Sequence, residues 1–210
     1  MKRLILLFAT MVATMVVASR VALAVTKIGT DGPDHLKGTN GDDILIGKGG
    51  NDILLALRGH DTLVGGPGKD VVMGGRLFVP LGGNKNLLGG SGNDAVLGGL
   101  GPEHLVGGGG NDWFVDGGAE DAVTDILSAG TGNDVLDVAQ PNKTGAKGDV
   151  VTCGSGFDRV LADRKDVVAP DCEKVVVVHG SAEDNFRQGD RFYESIPQSF
   201  FEGLNPVILG

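Results

Sequence analysis

Aspartate returns at a fixed interval near the start of the chain: Asp34, Asp43, Asp52, Asp61 and Asp70 stand nine residues apart. Two residues before each lies a glycine (Gly32, Gly41, Gly50, Gly59, Gly68), and two residues after each lies Leu36, Leu45, Leu54, Leu63 or Val72. A carboxylate beside backbone that no bulky side chain obstructs offers several oxygens to one centre. A hard cation taking six to eight oxygen ligands requires that kind of donor set. Acid–base catalysis is a poorer fit, because it needs two carboxyl groups in unlike environments, and rows of equivalent aspartates do not supply them.

Positioning such rows is the task of the intervening residues. Each nine-residue unit, from Gly29 onward, opens with six residues rich in Gly, Asn and Asp, which favour tight turns and tolerate positive φ. Three mostly aliphatic residues follow, enough for one short strand with one inward side chain. Two units make an 18-residue coil, and stacked coils bury ladders of Leu, Ile and Val between two thin parallel sheets. The sixth-position aspartates then fall into two columns, Asp34, Asp52 and Asp70 on one edge and Asp43 and Asp61 on the other. Bare carboxylates about 5 Å apart repel by roughly 3 kcal/mol at an effective dielectric near 20.

Composition agrees with a thin, turn-rich fold. The chain has 37 glycines in 210 residues, with one Trp and one Tyr, so a core packed around large aromatics is not expected. Residues 1–24 read as a secretory signal peptide. Lys2 and Arg3 are followed by an apolar run from Leu4 to Ala18 and an A-x-A site at Ala22 to Ala24. That run is short of the roughly 20 residues needed to span a bilayer, so no stable membrane span is expected in a mature chain beginning near Val25. Without Lys2, Arg3 and Arg20 the chain has 15 basic against 27 acidic residues, a formal charge of −12. That excess repels nucleic acid and anionic lipid and favours cations.

Gly65 to Met73 fits the pattern G-G-x-G-x-D-x-U-x at every defined position, as does Gly89 to Leu97. Gly107 to Val115 fits it with Phe114 in the aliphatic place. On these residues the stretch from about 29 to 161, with interruptions, resembles the RTX (haemolysin-type) calcium-binding nonapeptide-repeat family. The resemblance implies an all-β fold, a right-handed parallel β-roll or β-solenoid of about nine-residue half-turns, holding several Ca2+ ions between successive turns. The candidate metal residues are Asp34, Asp43, Gly47, Gly49, Asp52, Asp61, Gly65, Asp70, Gly89, Asp94, Gly107, Gly109 and Asp112. Because such a site exists only once two turns are stacked, folding is expected to require calcium.

The pattern breaks at particular places. The fourth unit begins Ala56-Leu57-Arg58, and Gly74 to Val79 stand outside the period, with Phe78 expected either to cap the aliphatic ladder or to be exposed. Beyond that break one edge carries Lys85, Glu103 and Asp121 at the sixth position, where calcium is expected to be poor or absent. The other carries Asp94 and Asp112, where it is expected to persist. Asp125 to Ser128 read as four added residues and Pro141 to Lys147 as a polar loop. Asp134 and Asp158, in late degenerate units, are open between ligand and turn-former.

Cys153 and Cys172 lie in the exported part, and a disulfide between them is expected over two free thiols. It would hold the coils where the metal motif fades. His35, His60, His104 and His179 form no metal spacing. The expected domains are the signal peptide, a roll over 25–180 with degenerate last rungs, and a tail over 181–210. The tail holds Phe186, Phe192, Tyr193, Phe200 and Phe201 and is either a partial cap or a flexible segment for a cell-surface or extracellular partner. The functional expectation is a secreted structural, adhesive or interaction module rather than an enzyme. The alternative is an accessory or remnant of an RTX-type secreted hydrolase or toxin. A flat face for ice or polysaccharide would need outward threonine ladders, which Thr30, Thr39 and Thr62 do not make.

Overall fold

The computed structural model describes residues 23–75, 83–116, 123–140, 147–178, 194 and 196–198. Within them sixteen short strands, β1 to β16 in chain order, alternate between two sheets. One sheet contains β1 (Thr26–Ile28), β3 (Ile44–Ile46), β5 (Asp61–Pro67), β7 (Lys85–Ser91), β9 (Glu103–Gly109), β11 (Ile126–Thr131), β13 (Val150–Ser155) and β15 (Val167–Val168). The other contains β2 (His35–Lys37), β4 (Ile53–Leu55), β6 (Val71–Met73), β8 (Ala95–Leu97), β10 (Trp113–Val115), β12 (Val135–Asp137), β14 (Arg159–Ala162) and β16 (Lys174–Val177). Every strand pairs in parallel with the strand one coil on, as β3 does with β5 and β4 with β6. The fold is the parallel β-roll that the repeats imply.

From β3 onward the middle residue of the three-residue strand segment points inward and builds the core. Leu45, Leu63, Leu87, Leu105, Leu127 and Val151 form one ladder, and Leu54, Val72, Val96, Phe114, Leu136 and Val160 face it; all are fully buried. Burying one such side chain contributes about 1.5–3 kcal/mol. Phe114 takes the aliphatic place, as expected, whereas Phe78 lies outside the described residues.

Strand register locates the departures from the nine-residue period. The step from one coil to the next is 18 residues from Asp52 to Asp70, 24 from Asp70 to Asp94, and 18 again to Asp112. It is then 22 to Asp134 and 24 to Asp158. Pairing of Asp61 with Lys85, His104 with Ile126, and Ile126 with Val150 puts each excess in a turn that leads from the second sheet back to the first. Turns in the opposite sense keep one length from Gly29 to Asp158. We call these uniform turns the first edge and the variable ones the second edge.

Cys153 and Cys172 are joined by a disulfide, their Cα atoms 5.2 Å apart. Val175 and Val177 on the terminal strand β16 remain partly exposed. From the tail, Ile196 is buried with Val135, Leu161 and Val178 in a second cluster beside Trp113, Ala139 and Val176. The tail's five aromatics lie outside the described residues, as does the signal segment up to residue 22. No helix among the described residues is long and apolar enough to cross a membrane.

Candidate metal centre

On the first edge the sixth-position acids form one continuous column. The backbone N–H of Asp34 donates to Asp52 Oδ1, Asp52 to Asp70, Asp70 to Asp94, Asp94 to Asp112, Asp112 to Asp134 and Asp134 to Asp158, at 2.7–2.8 Å. The Asp158 N–H ends the series on Glu173 Oε2 at 2.8 Å. Each carboxylate thereby spends one oxygen tying its coil to the coil before. The other oxygen, Oδ2, of Asp52, Asp70, Asp94, Asp112, Asp134 and Asp158 is buried with no hydrogen-bond partner. Six buried anionic oxygens without donors represent a large desolvation cost unless something positive meets them.

What lies beside those oxygens is backbone. A Cβ added at Gly47 would stand 2.1 Å from Asp52 Oδ2 and 2.6 Å from the carbonyl oxygen of Gly65, one coil on. Those two oxygens are therefore no more than 4.7 Å apart, a span that one calcium ion bridges at its usual 2.3–2.6 Å. The same pairing recurs at Gly65 with Asp70 and the Gly89 carbonyl, at Gly89 with Asp94 and the Gly107 carbonyl, and at Gly107 with Asp112 and the Ala129 carbonyl. First-position glycine is thus needed so that the carboxylate can approach the backbone. Gly49, at the third position, meets nothing closer than 3.7 Å, so close approach does not require glycine there.

The glycines among the candidate metal residues come from the first and third positions, whereas backbone conformation is most demanding at the second and fourth. Gly66 and Gly68 have φ of +113° and +151°, and an added Cβ would stand 1.9 and 1.8 Å from the carbonyl oxygens of Lys48 and Gly50. Their repetition in G-G-x-G was the available signal. Lys48 and Leu57 hold the same left-handed conformation at the second position, with φ of 82° and 87°.

Asp34 and Asp43 differ from the acids that follow them. Thr30 occupies the second position without positive φ, and its N–H and hydroxyl donate to Asp34 Oδ2 at 2.6 and 2.9 Å. Thr39 does the same for Asp43. These hydrogen bonds hold the Asp34 carboxyl below the ordinary range. Burial acts in the opposite direction on the central acids. Desolvation raises Asp52, pushes Asp70 up to about 6, Asp94 and Asp134 up to about 7, and Asp112 up to about 9. Backbone N–H donation opposes each shift without overcoming it.

The second edge is ordered Asp43, Asp61, Lys85, Glu103, Asp125, Asp149, Asp166. The N–H of Asp43 donates to Asp61, that of Glu103 to Asp125, that of Asp125 to Asp149 and that of Asp149 to Asp166. Asp125, not Asp121, takes the sixth place after Glu103; Asp121 lies outside the described residues. The four extra residues precede Asp125 in the turn, and Ile126 to Ser128 are strand rather than insertion. Lys85 is fully buried. Its ammonium lies 3.2 Å from Asp61 Oδ2 and 2.9 Å from the Gly59 carbonyl, an aspartate oxygen and a turn carbonyl serving as partners for a cation supplied by the chain itself.

Stacked parallel coils whose turns present columns of carboxylate and carbonyl oxygens define a β-roll with cation-binding edges. The family model of the RTX calcium-binding nonapeptide repeat matches four segments, residues 28–63, 46–76, 82–102 and 121–138. The repeat block of this chain belongs to that family and is a Ca2+-binding β-roll module. No curated protein shows a significant match to the chain.

Proposed function

We propose that this is an exported, non-catalytic protein whose roll folds on binding calcium and then serves as a structural, adhesive or interaction module. The column of buried, donor-free Oδ2 atoms from Asp52 to Asp158 carries the reading. Without an ion, its ionised carboxylates oppose stacking of the coils, and with one, each joins two coils. Binding free energy then becomes folding free energy. Within this proposal the ligands are the first-edge acids Asp52, Asp70, Asp94 and Asp112 with the carbonyls of Gly65, Gly89 and Gly107. Asp134 and Asp158 carry the same donor-free Oδ2 in turns that open with Ala129 and Cys153 rather than glycine, while Asp34 and Asp43 contribute less because threonine already satisfies them. Calcium supplies the positive charge; the chain supplies oxygens at fixed spacing and a dry flank.

Two features support export. Such repeats are typical of secreted proteins, and the Cys153–Cys172 bond suits an oxidising compartment. A non-catalytic role fits acids that repeat one hydrogen-bonding arrangement down each edge. Circular dichroism tests the coupling: the protein in excess chelator should lose most of its strand signal and recover it in millimolar calcium. Equal strand content in both conditions would end the proposal.

A further inference from the structure

The two ends of the roll are finished differently. At the N-terminal end Lys27 occupies the core column of β1, in register with Leu45, and its ammonium donates to the Lys37 carbonyl at 2.6 Å; His35 and Lys37 stand on β2 beside it. Lysine on an outermost strand and a charge in a core column both discourage a sheet from adding strands. At the C-terminal end β16 reads Lys-Val-Val-Val and runs on into Val178. Val175 and Val177 are in register with Val160 and Ala162 of the core, yet they are 39% and 37% exposed, with no further coil over them among the described residues. We propose that β16 is a self-docking edge: two copies of the chain join end to end by antiparallel pairing of β16 with β16 about a two-fold axis, which makes the second sheet continuous through both rolls.

The backbone of β16 carries the donors and acceptors for this. Lys174 and Val178 face β14, their N–H groups donating to the carbonyls of Asp158 and Ala162 at 3.0 and 2.9 Å. Successive residues of a strand address opposite neighbours, so the N–H and C=O groups of Val175 and Val177 point to the side where β16 has no partner strand among the described residues. Antiparallel alignment centred on Val176 sets Val175 of each copy opposite Val177 of the other. These form the hydrogen-bonded kind of pair, which exchanges both N–H···O bonds, and their side chains all lie on the core side, where they cover one another. A slip of one residue would oppose core-side valine to outward Val176 or Lys174, so the register is selected by burial.

Other occupants fit less well. The first sheet ends in β15, a strand of two residues, and Pro170, which has no N–H, stands just beyond it. Head-to-tail stacking would press the Lys27 ammonium into the core column against Val168, a desolvation that an apolar neighbour does not offset. The described part of the tail does not take the edge either, because Ile196 packs with Val135, Leu161 and Val178 on the outward side of the second sheet, a face that the end-to-end contact leaves free. The C-terminal end is complementary to itself, and such an isologous contact closes at two copies. A roll end is a small contact, so the dimer is reversible, with a Kd of roughly 1–100 µM. This pairing goes beyond the calcium-coupled folding proposed above and requires only a folded last coil, which the Cys153–Cys172 bond holds.

Sedimentation velocity of the full mature chain in saturating calcium, comparing wild type with Val177→Pro, tests the edge, and oxidation in a glutathione buffer, comparing Val176→Cys with Lys174→Cys, tests the register. Proline removes an N–H that faces the free side and none that bonds β14, so Val177→Pro should weaken dimerisation at least tenfold. Val176 lies on the axis in a non-hydrogen-bonded pair, its Cα about 4.5 Å from that of its copy and within disulfide reach, so Val176→Cys should yield a cross-linked dimer. Lys174→Cys, roughly 14 Å from its copy, should not. Circular dichroism verifies that each variant is folded; if Val177→Pro fails that check, the two cysteine variants decide. A wild type that stays monomeric well above the stated range, a dimer that Val177→Pro leaves unchanged, or cross-linking at position 176 that is absent or no greater than at 174 overturns the inference. A dimer formed by a roll that folds equally well in chelator upholds this edge and removes the calcium coupling proposed above.

Discussion

Replacing Lys85 by methionine isolates the part that a built-in cation plays in the roll. The ammonium and Asp61 Oδ2 are 3.2 Å apart with both side chains fully buried, so their attraction is about 5 kcal/mol at an effective dielectric of 20. Methionine is of similar length and leaves little cavity, so the measured loss reports charge more than packing. It strands Asp61, whose carboxyl burial already raises despite the lysine, and leaves the Gly59 carbonyl without its donor. Removing one member of a buried ion pair costs about 3–5 kcal/mol, a large fraction of the 5–15 kcal/mol that holds a typical domain folded. Urea unfolding in saturating calcium at pH 7 should show a loss of that size for Lys85→Met. Asp61→Asn/Lys85→Met should be less destabilised than the sum of the two single changes, because the stranded charge is gone. A loss under about 1 kcal/mol for Lys85→Met, or strict additivity in the double variant, would refute the reasoning.

Stability without calcium should fall as pH rises. Asp94, Asp112 and Asp134 have folded values raised by burial to about 7, 9 and 7 from an ordinary 3.8, so the folded metal-free chain holds protons that the unfolded chain has lost. The stabilising contribution is complete below about pH 4 and disappears as pH passes through the folded values, each carboxylate near 7 accounting for on the order of 4 kcal/mol. Calcium-stripped protein should therefore resist urea better at pH 5 than at pH 8, and the reverse order would contradict the burial of these acids. Gly66→Ala should cost more than 2 kcal/mol, on the order expected where φ is positive and backbone blocks the new methyl, whereas Gly49→Ala should stay within about 1 kcal/mol; thermal melts in calcium separate the two. Reducing Cys153–Cys172 should destabilise the last coils by roughly 3 kcal/mol, seen as an earlier loss of amide protection from Val150 to Val177 than from Ile44 to Met73 in hydrogen exchange.

Much of the roll was legible because its period fixes three things at once: turn, strand and inward side chain. The assignment of Asp34, Asp52 and Asp70 to one edge and Asp43 and Asp61 to the other followed from counting. The interruption after Met73 was equally visible, since six residues shift every later position. The place of the second insertion was not. Between Val115 and Ile126 the chain carries both Asp121 and Asp125, and the pairing of Ile126 with His104 and the hydrogen bond from Glu103 to Asp125 place Asp125 in the column. Lys85 was read as hostile to calcium, whereas its partner, Asp61 on the preceding coil, was not apparent from the motif. The approach of the Asp116, Glu103 and Asp125 carboxylates to within 4.8 Å of one another was hidden too, because it joins a first position to sixth positions across a turn of altered length. Finally, positive φ falls on the second and fourth positions; the fourth-position glycine was plain from its recurrence, whereas the second position was not, because Lys48 and Leu57 fill it without glycine.

The unequal lengths of the turns have a consequence for how such a chain changes over time. Every added residue between Gly29 and Asp158 falls on the second edge, and the first edge retains one turn length throughout. Growth is tolerated on one flank because the opposite flank, like a bound spine, keeps the coils in register while pages of different width are added. New loops grafted between β6 and β7, β10 and β11, or β12 and β13 should therefore be accepted, whereas the same insertions between β5 and β6 or β9 and β10 should disrupt the stack. The second edge is the place where a protein of this design can acquire new surface without rebuilding itself.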